Sequence, residues 1–458
     1  MKFHFENLGL LDKAELELAD LTIICGENNT GKTYATYAIY GFLRSWRNLL
    51  RTVISNEIDT FEHSGNKYQI NLENLFKGKI NHYINRMGEQ FANDLSSVFA
   101  AKEEAFAHTK IKISIDNELP ISPNSFQRRV QGGGEILATI TKEENSMILE
   151  ILANDDGIIN FFALKEFVFQ AIAEIVFSPY FPYPHISSAE RTGASIFRKE
   201  LDMARTRMLK ALNEMGNKDI KRIKERPWEL LREIGTDYPW PVEHNVEFVR
   251  QLEDFDKQTS ELSKEHPEIL PAFNTIIGGT YKVIRNQGLV FQAKKGNQKF
   301  TMNEASSCAR ALLDVGFYLR CRAKPGDLFI IDEPELNLHP KNQRAFARLI
   351  SRLVNANIKV FMTTHSDYLI KELNTLIMLN QKTGHIKNIQ IEYGYEDMEI
   401  LNPDKVNLYM TAKEGRRKSS NVLQQAIIHP NWGIEVSTFD DTIDLMNKIQ
   451  NNLVYGGE

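Results

Sequence analysis

The chain has 458 residues at 52.6 kDa, 42% hydrophobic and 25% charged. That is enough to bury the cores of two or three domain-sized units, and too apolar for a disordered or fibrous protein. Fifty-five Lys/Arg against sixty Asp/Glu leave a formal net charge of −5, so bulk charge does not drive nucleic-acid coating and any such contact needs a local patch. The three cysteines (Cys25, Cys308, Cys321) lack paired metal-ligand spacing, which argues against zinc and disulfides and predicts a cytoplasmic protein. No apolar run reaches the ~20 residues of a membrane span.

Short apolar segments at residues 2–5, 14–18 and 21–25 predict strands, followed by a glycine-containing turn and a helix over 32–50. Period-two alternation between about 67 and 152, clearest at 110–115 and 135–141, predicts an antiparallel meander. A helix is predicted over 160–177, stopped by Pro179, Pro182 and Pro184. The mainly helical region that follows, to about Thr275, is broken by Pro227, Pro239, Pro241, Pro267 and Pro271. These prolines rule out an unbroken heptad arm and predict a short helical insertion. Residues 198–226 within it carry ten basic side chains against five acidic ones. Strands return over 278–300, then a helix over 305–322, an apolar strand, a helix, a second apolar strand and a helical tail. Apolar strands alternating with helices predict an α/β fold with a parallel sheet covered on both faces.

Two motifs carry chemistry. Gly26-Glu27-Asn28-Asn29-Thr30-Gly31-Lys32-Thr33 satisfies G-x-x-x-x-G-K-[ST] between an apolar strand and a helix. Its glycines let backbone N–H groups of Gly26, Asn28, Asn29, Thr30, Gly31 and the following Tyr34 converge on the phosphates of ATP. Lys32 is placed to reach the β/γ-phosphates and Thr33 to offer its hydroxyl to Mg2+. The second motif, Leu328-Phe329-Ile330-Ile331-Asp332-Glu333-Pro334, is an apolar strand ending in two carboxylates. Asp332 is the candidate Mg2+ ligand, and Glu333 the group that polarises the attacking water.

About 300 residues separate Lys32 from Asp332, and at this separation the chain resembles the ATP-binding-cassette ATPases of the SMC, RecF and OLD group. Within it the chain is similar to small OLD-like ATPases of bacterial anti-phage systems such as PARIS. The resemblance implies an ABC-type head, a mixed-sheet lobe plus a parallel sheet with flanking helices. Residues 1–194 would form the P-loop lobe with the meander, 195–277 a short helical insertion, and 278–458 a second lobe ending in the helical tail. It further implies a signature helix at 303–312, with Ser306 at the serine position of L-S-G-G-Q although Ser307 and Cys308 replace both glycines. His365, thirty-three residues past Asp332, would be the switch histidine that hydrogen-bonds the γ-phosphate, and residues 335–340 the D-loop.

Read from the residues alone, Ser306 is an ordinary N-cap, His339 is either structural or a D-loop contact, and Arg191 is a salt-bridge partner before it is a nucleotide sensor. The resemblance implies a homodimer, or larger homo-oligomer, that sandwiches two ATP molecules, with Ser306 reaching the nucleotide of the opposite copy. No nuclease signature stands out in the sequence. The implied function is therefore an ATP-hydrolysing sensor or scaffold switch controlling a separately encoded effector, a toxin or nuclease, in anti-phage defence. The alternative is a RecF-like ATPase that clamps DNA through residues 198–226. Residues 434–444 resemble the C-terminal segment of the small OLD-like ATPases, and the basic residues 413–418 suit either a partner or nucleic-acid contact or an exposed loop.

Overall fold

The computed structural model describes residues 1–58, 62–64, 67–132, 135–153, 161–197, 238–284, 288–381, 383–414, 420–434 and 445–453. Its centre is a nine-stranded sheet, whose strands we number within that sheet. They are β1 (Lys2–Leu8), β2 (Leu11–Glu17), β3 (Leu21–Cys25), β4 (Lys110–Ser114), β5 (Pro184–Ser187), β6 (Leu328–Asp332), β7 (Lys359–Thr364), β8 (Val406–Glu414) and β9 (Ser420–Gln425). Their spatial order is β5-β6-β7-β3-β8-β9-β2-β1-β4. The run β5-β6-β7-β3-β8 is parallel, whereas β8–β9, β2–β1 and β1–β4 pair antiparallel.

Strands β3 and β6 are buried along their whole length because helices cover both faces of the sheet there. Leu328 and Ile330 of β6 join the core that includes the long helix α1 (Lys32–Ile58), while Phe329 and Ile331 join the core of the opposite face. That second core takes in α5 (Leu313–Cys321) and α6 (Pro340–Asn355). In the antiparallel part, Phe3 and Phe5 of β1 point inward while their neighbours are only half-buried, the alternation of a strand with one covered face.

The expected meander over 67–152 is corrected by the structure. Residues 110–114 leave it to pair with β1, and 72–98 contain helices Leu72–Phe76, Ile80–Phe91 and Leu95–Val98. Ile80, Tyr83, Ile84, Met87 and Phe91 recur at three- and four-residue spacing and are all buried, a helical period that a window tuned to strands passes over. The remaining strands form a separate antiparallel sheet in which Lys67–Asn71, Ile148–Ala153, Glu135–Lys142 and Phe126–Gly132 are successive neighbours.

The helical tail is corrected as well, since β8 and β9 lie within the central sheet, β8 directly beside β3. Paired on both edges, β8 sends Leu408 into one core and Tyr409 into the other, which hides the alternation that marks a half-buried strand. The predicted helix over 305–322 breaks at Leu312 into α4 (Ser307–Ala311) and α5. In the described part of the insertion, α3 (Trp240–Arg250) packs against α1 and β5, next to the short helix α2 (Arg191–Ile196). The basic residues 198–226 lie outside the described residues. Among the described residues no helix is long and apolar enough to cross a membrane.

Candidate active site

The C-terminal ends of β3, β7 and β6 lie side by side, with Thr364 opposite Cys25 and Asp332 opposite Thr363. One intervening strand separates β3 from β6, so their ends stand about 10 Å apart. Elements some 300 residues apart in sequence thus deliver the P-loop and the paired carboxylates to one sheet edge.

The loop from Gly26 to Gly31 needs its glycines. Gly26 has φ +142°, and a Cβ there would stand 1.9 Å from Thr411 Oγ1 on β8. Gly31 has φ +99°, also in the region that side chains rarely adopt. Asn28, Asn29 and Thr33 are exposed. Thr30 is buried, and its hydroxyl donates to the Glu27 carbonyl at 2.7 Å. Lys32 is 6% exposed, and its Nζ curls back to donate to the carbonyls of Glu27 (2.6 Å) and Gly26 (3.1 Å). Burial lowers its pKa, while the nearby Glu333 and Asp332 act in the opposite direction. The ammonium therefore sits in the field of the second motif, held by weak neutral acceptors.

Asp332 is 2% exposed; Oδ1 accepts from the Thr363 hydroxyl and Oδ2 is buried without a partner. Burial pushes its carboxyl up to about 6, with Glu333 and Glu190 adding to the rise and Thr363 and Arg191 opposing it. Glu333 adopts φ +50° and puts Oε1 3.3 Å from Nε2 of His365. That contact is the main cause holding its carboxyl below the usual range. The site also holds Glu335, whose Oε1 accepts from the Thr364 hydroxyl (2.9 Å) and the His365 backbone N–H (2.5 Å), while Oε2 is buried and unpartnered. Burial raises the Glu335 pKa.

The arrangement fits a hydrated Mg2+ bound with a phosphate. It offers one orphaned carboxylate oxygen on Asp332 and an exposed hydroxyl on Thr33, whereas no group of three or more His, Cys, Asp or Glu forms a metal cage among the described residues. Mg2+ characteristically takes few protein ligands and fills its shell with water and phosphate oxygens.

Three sequence candidates stand apart from this cluster. The Tyr34 ring packs between Gly9, Phe99 and Phe106. Exposed Ser306 caps α4, its Oγ accepting from Ala309 N at 3.2 Å. His339 caps α6, its Nδ1 accepting from Lys341 N at 3.2 Å. Among the described residues Arg191 forms no salt bridge, and its side chain is not open to a nucleotide. Fully buried, it donates to the carbonyls of Ala311, Ser188, Asp332 and Glu333 at 2.6–2.9 Å, which ties α4 to the end of β6. The sequence reading assigned Thr363 no role, and it placed Glu335 in the D-loop and not in this cluster. The threonine pair ending the otherwise apolar β7 was the available signal.

Residues 1–370 match the AAA ATPase domain family, and the chain belongs to it. No curated protein matches the sequence. Solved structures similar to this chain include the Smc head domain with an extended coiled coil bound to the C-terminal domain of ScpA, from Pyrococcus furiosus. The two are 12% identical, with 98% of each chain covered and a TM-score of 0.32. The SMC head domain from Thermotoga maritima is 9% identical, with 93% of this chain and 98% of that one covered and a TM-score of 0.31. An SmcHead bound to the C-winged helix domain of ScpA is 12% identical, with 93% and 96% covered and a TM-score of 0.34.

Proposed function

We propose that this chain binds and hydrolyses Mg2+-ATP at the edge formed by β3, β7 and β6, and that hydrolysis drives a dimerisation switch. The observation that carries the reading is a P-loop lysine bonded to carbonyls, set against a buried carboxylate oxygen with no hydrogen-bond partner among the described residues, at the ends of β3 and β6, which flank β7. Lys32 exchanges its two carbonyls for phosphate oxygens, and the loop N–H groups of residues 26–31 complete the cradle. Thr33 and Asp332 hold the metal, which when bound neutralises charge on the phosphates. Glu333, kept ionised by His365, accepts a hydrogen bond from the attacking water and orients it. His365 is placed beside it to donate toward the terminal phosphate.

Ser306 is exposed at the start of α4 and belongs to no part of its own copy's cluster. In this reading it meets the nucleotide of a second copy, so that ATP closes a homodimer and hydrolysis reopens it. The switch serves as a cytoplasmic sensor or scaffold for a separately encoded toxin or nuclease in anti-phage defence; the likeness of the motifs and of residues 434–444 to small OLD-like ATPases supports this. The test is purification of the intact chain from its native host with ATP present. A toxin or nuclease encoded beside it should co-purify with wild type, and its retention should change in Lys32→Ala. Recovery of no such partner, together with DNA-stimulated hydrolysis of steep salt dependence, would instead assign the RecF-like role.

A further inference from the structure

A second cavity lies at the other end of the same sheet. It has a volume of about 830 Å3 and is bordered by the first residues of β5, the residues leading into β6, and helices α1, α3 and α5. None of the P-loop, Asp332, Glu333 or His365 lines it. The volume falls within the range of sites that enclose a small organic ligand.

Its walls and its mouth differ in chemistry. Tyr40 and Trp46 of α1 and Phe248 of α3 line it with aromatic surface, together with Tyr318 of α5, whose faces are taken by His185 and Phe329. The floor is a histidine pair, His185 Nδ1 lying 3.2 Å from His244 Nε2, with the His185 ring stacked on Tyr318 at 4.1 Å and 8°. Burial lowers both imidazole pKa values, that of His244 to about 4, so the floor is uncharged at neutral pH. His185 Nε2 is buried and without a hydrogen-bond partner.

The mouth carries four exposed cations, Arg44, Arg47, Arg322 and Lys324. Arg44 meets Glu243 at 3.5 Å and Lys324 meets Glu261 at 3.4 Å. Arg47 and Arg322 form no ion pair among the described residues and lie over rings instead, 4.7 Å from the Trp46 centroid and 3.8 Å from that of Phe255. Of the two acidic groups lining the cavity, Glu247 is exposed, and Asp327 is occupied by the Lys324 N–H (3.0 Å) and the Tyr318 hydroxyl (3.4 Å).

We propose that this cavity is a second ligand site and that it takes a nucleoside phosphate, with the base between the aromatic walls and the phosphate at Arg47 and Arg322. An uncharged aromatic ligand leaves the cations unused, and an inorganic anion leaves the walls unused; a flat heteroaromatic ring carrying a phosphate uses both. The site is mechanically connected to the first. Helix α1 starts at Lys32 and reaches Arg44 and Arg47 about 20 Å further on, and β6 runs from beside Asp327 to Asp332.

The experiment is calorimetric titration of the intact protein with AMP, GMP, CMP and UMP, with adenosine and inorganic phosphate as controls. At least one monophosphate should saturate the protein below about 1 mM and bind more tightly than either control. The affinity should be unchanged in Lys32→Ala and about tenfold or more weaker in Arg47→Ala/Arg322→Ala. The double variant should keep the basal ATPase rate and melting temperature, because both arginines are exposed. Absence of saturation by all four monophosphates overturns the proposal. So does binding that is lost with Lys32→Ala, binding indifferent to the arginine pair, or phosphate alone binding equally well. Lys32→Ala separates this site from the ATP site, so either reading can fail without the other.

Discussion

The Arg191 guanidinium donates to the Asp332 carbonyl at 2.6 Å and at the same time, through Nε, to the Ala311 carbonyl at 2.8 Å. One fully buried side chain thus sets the distance between the end of β6 and the end of α4. Arg191→Ala removes four hydrogen bonds and leaves a cavity in place of the side chain, although the Ser188 and Glu333 carbonyls keep backbone donors at residues 191 and 336. It should cost about 3 kcal/mol in urea unfolding and depress hydrolysis more than nucleotide affinity. An unfolding curve that superimposes on wild type would show that the clamp is dispensable.

Glu333→Gln keeps the shape of the side chain and its contact with His365 but removes the charge that orients water. Turnover should fall by about 10²–10³, with ATP affinity preserved and the closed dimer accumulating in size-exclusion runs. Lys32→Ala should abolish ATP binding. If the Gln variant hydrolyses ATP at the wild-type rate, the catalytic assignment of Glu333 is wrong.

The residues of the candidate site were legible because they are contiguous: the P-loop string and the β6 ending each carry their chemistry in a few consecutive positions, and His365 follows the end of a third strand. What the sequence concealed depends on which elements meet. Arg191 makes its four bonds to backbone carbonyls, which leave no mark on residue identity. Leu408 and Tyr409 face opposite cores, so β8 shows no period. The helix Ile80–Phe91 lies between strands in sequence and takes its place by packing on α1 and β4.

Asp332 is poorly satisfied by the fold alone. Its Oδ2 is buried with no partner, and burial disfavours its charge. Asp332→Asn removes that charge while keeping an oxygen to accept from Thr363. Without nucleotide the variant should be more stable than wild type by about 1 kcal/mol, as expected where function opposes stability. Mg2+-ATP should raise the melting temperature of wild type and not that of the variant. A melting temperature below wild type without nucleotide would mean that the carboxylate has structural partners beyond Thr363.

A pH signature is expected at the other end of β6. Burial raises the Asp327 carboxyl from 3.8 to about 6, against the opposing pull of the Lys324 N–H, the Tyr318 hydroxyl and the Lys324 charge, with Glu261 adding to the rise. Below about pH 4 the group is protonated whether the chain is folded or unfolded. Between about 4 and 6 the unfolded chain releases its proton first, so the folded state binds more protons and unfolding free energy falls as pH rises. Above about 6 the loss is complete, at about 3 kcal/mol. Asp327→Asn keeps an oxygen for the Lys324 N–H and cannot ionise. The wild-type-minus-variant difference in urea stability should therefore slope downward from pH 4 to 6 and then flatten. Parallel profiles across that window would show that Asp327 ionises as it does in the unfolded chain.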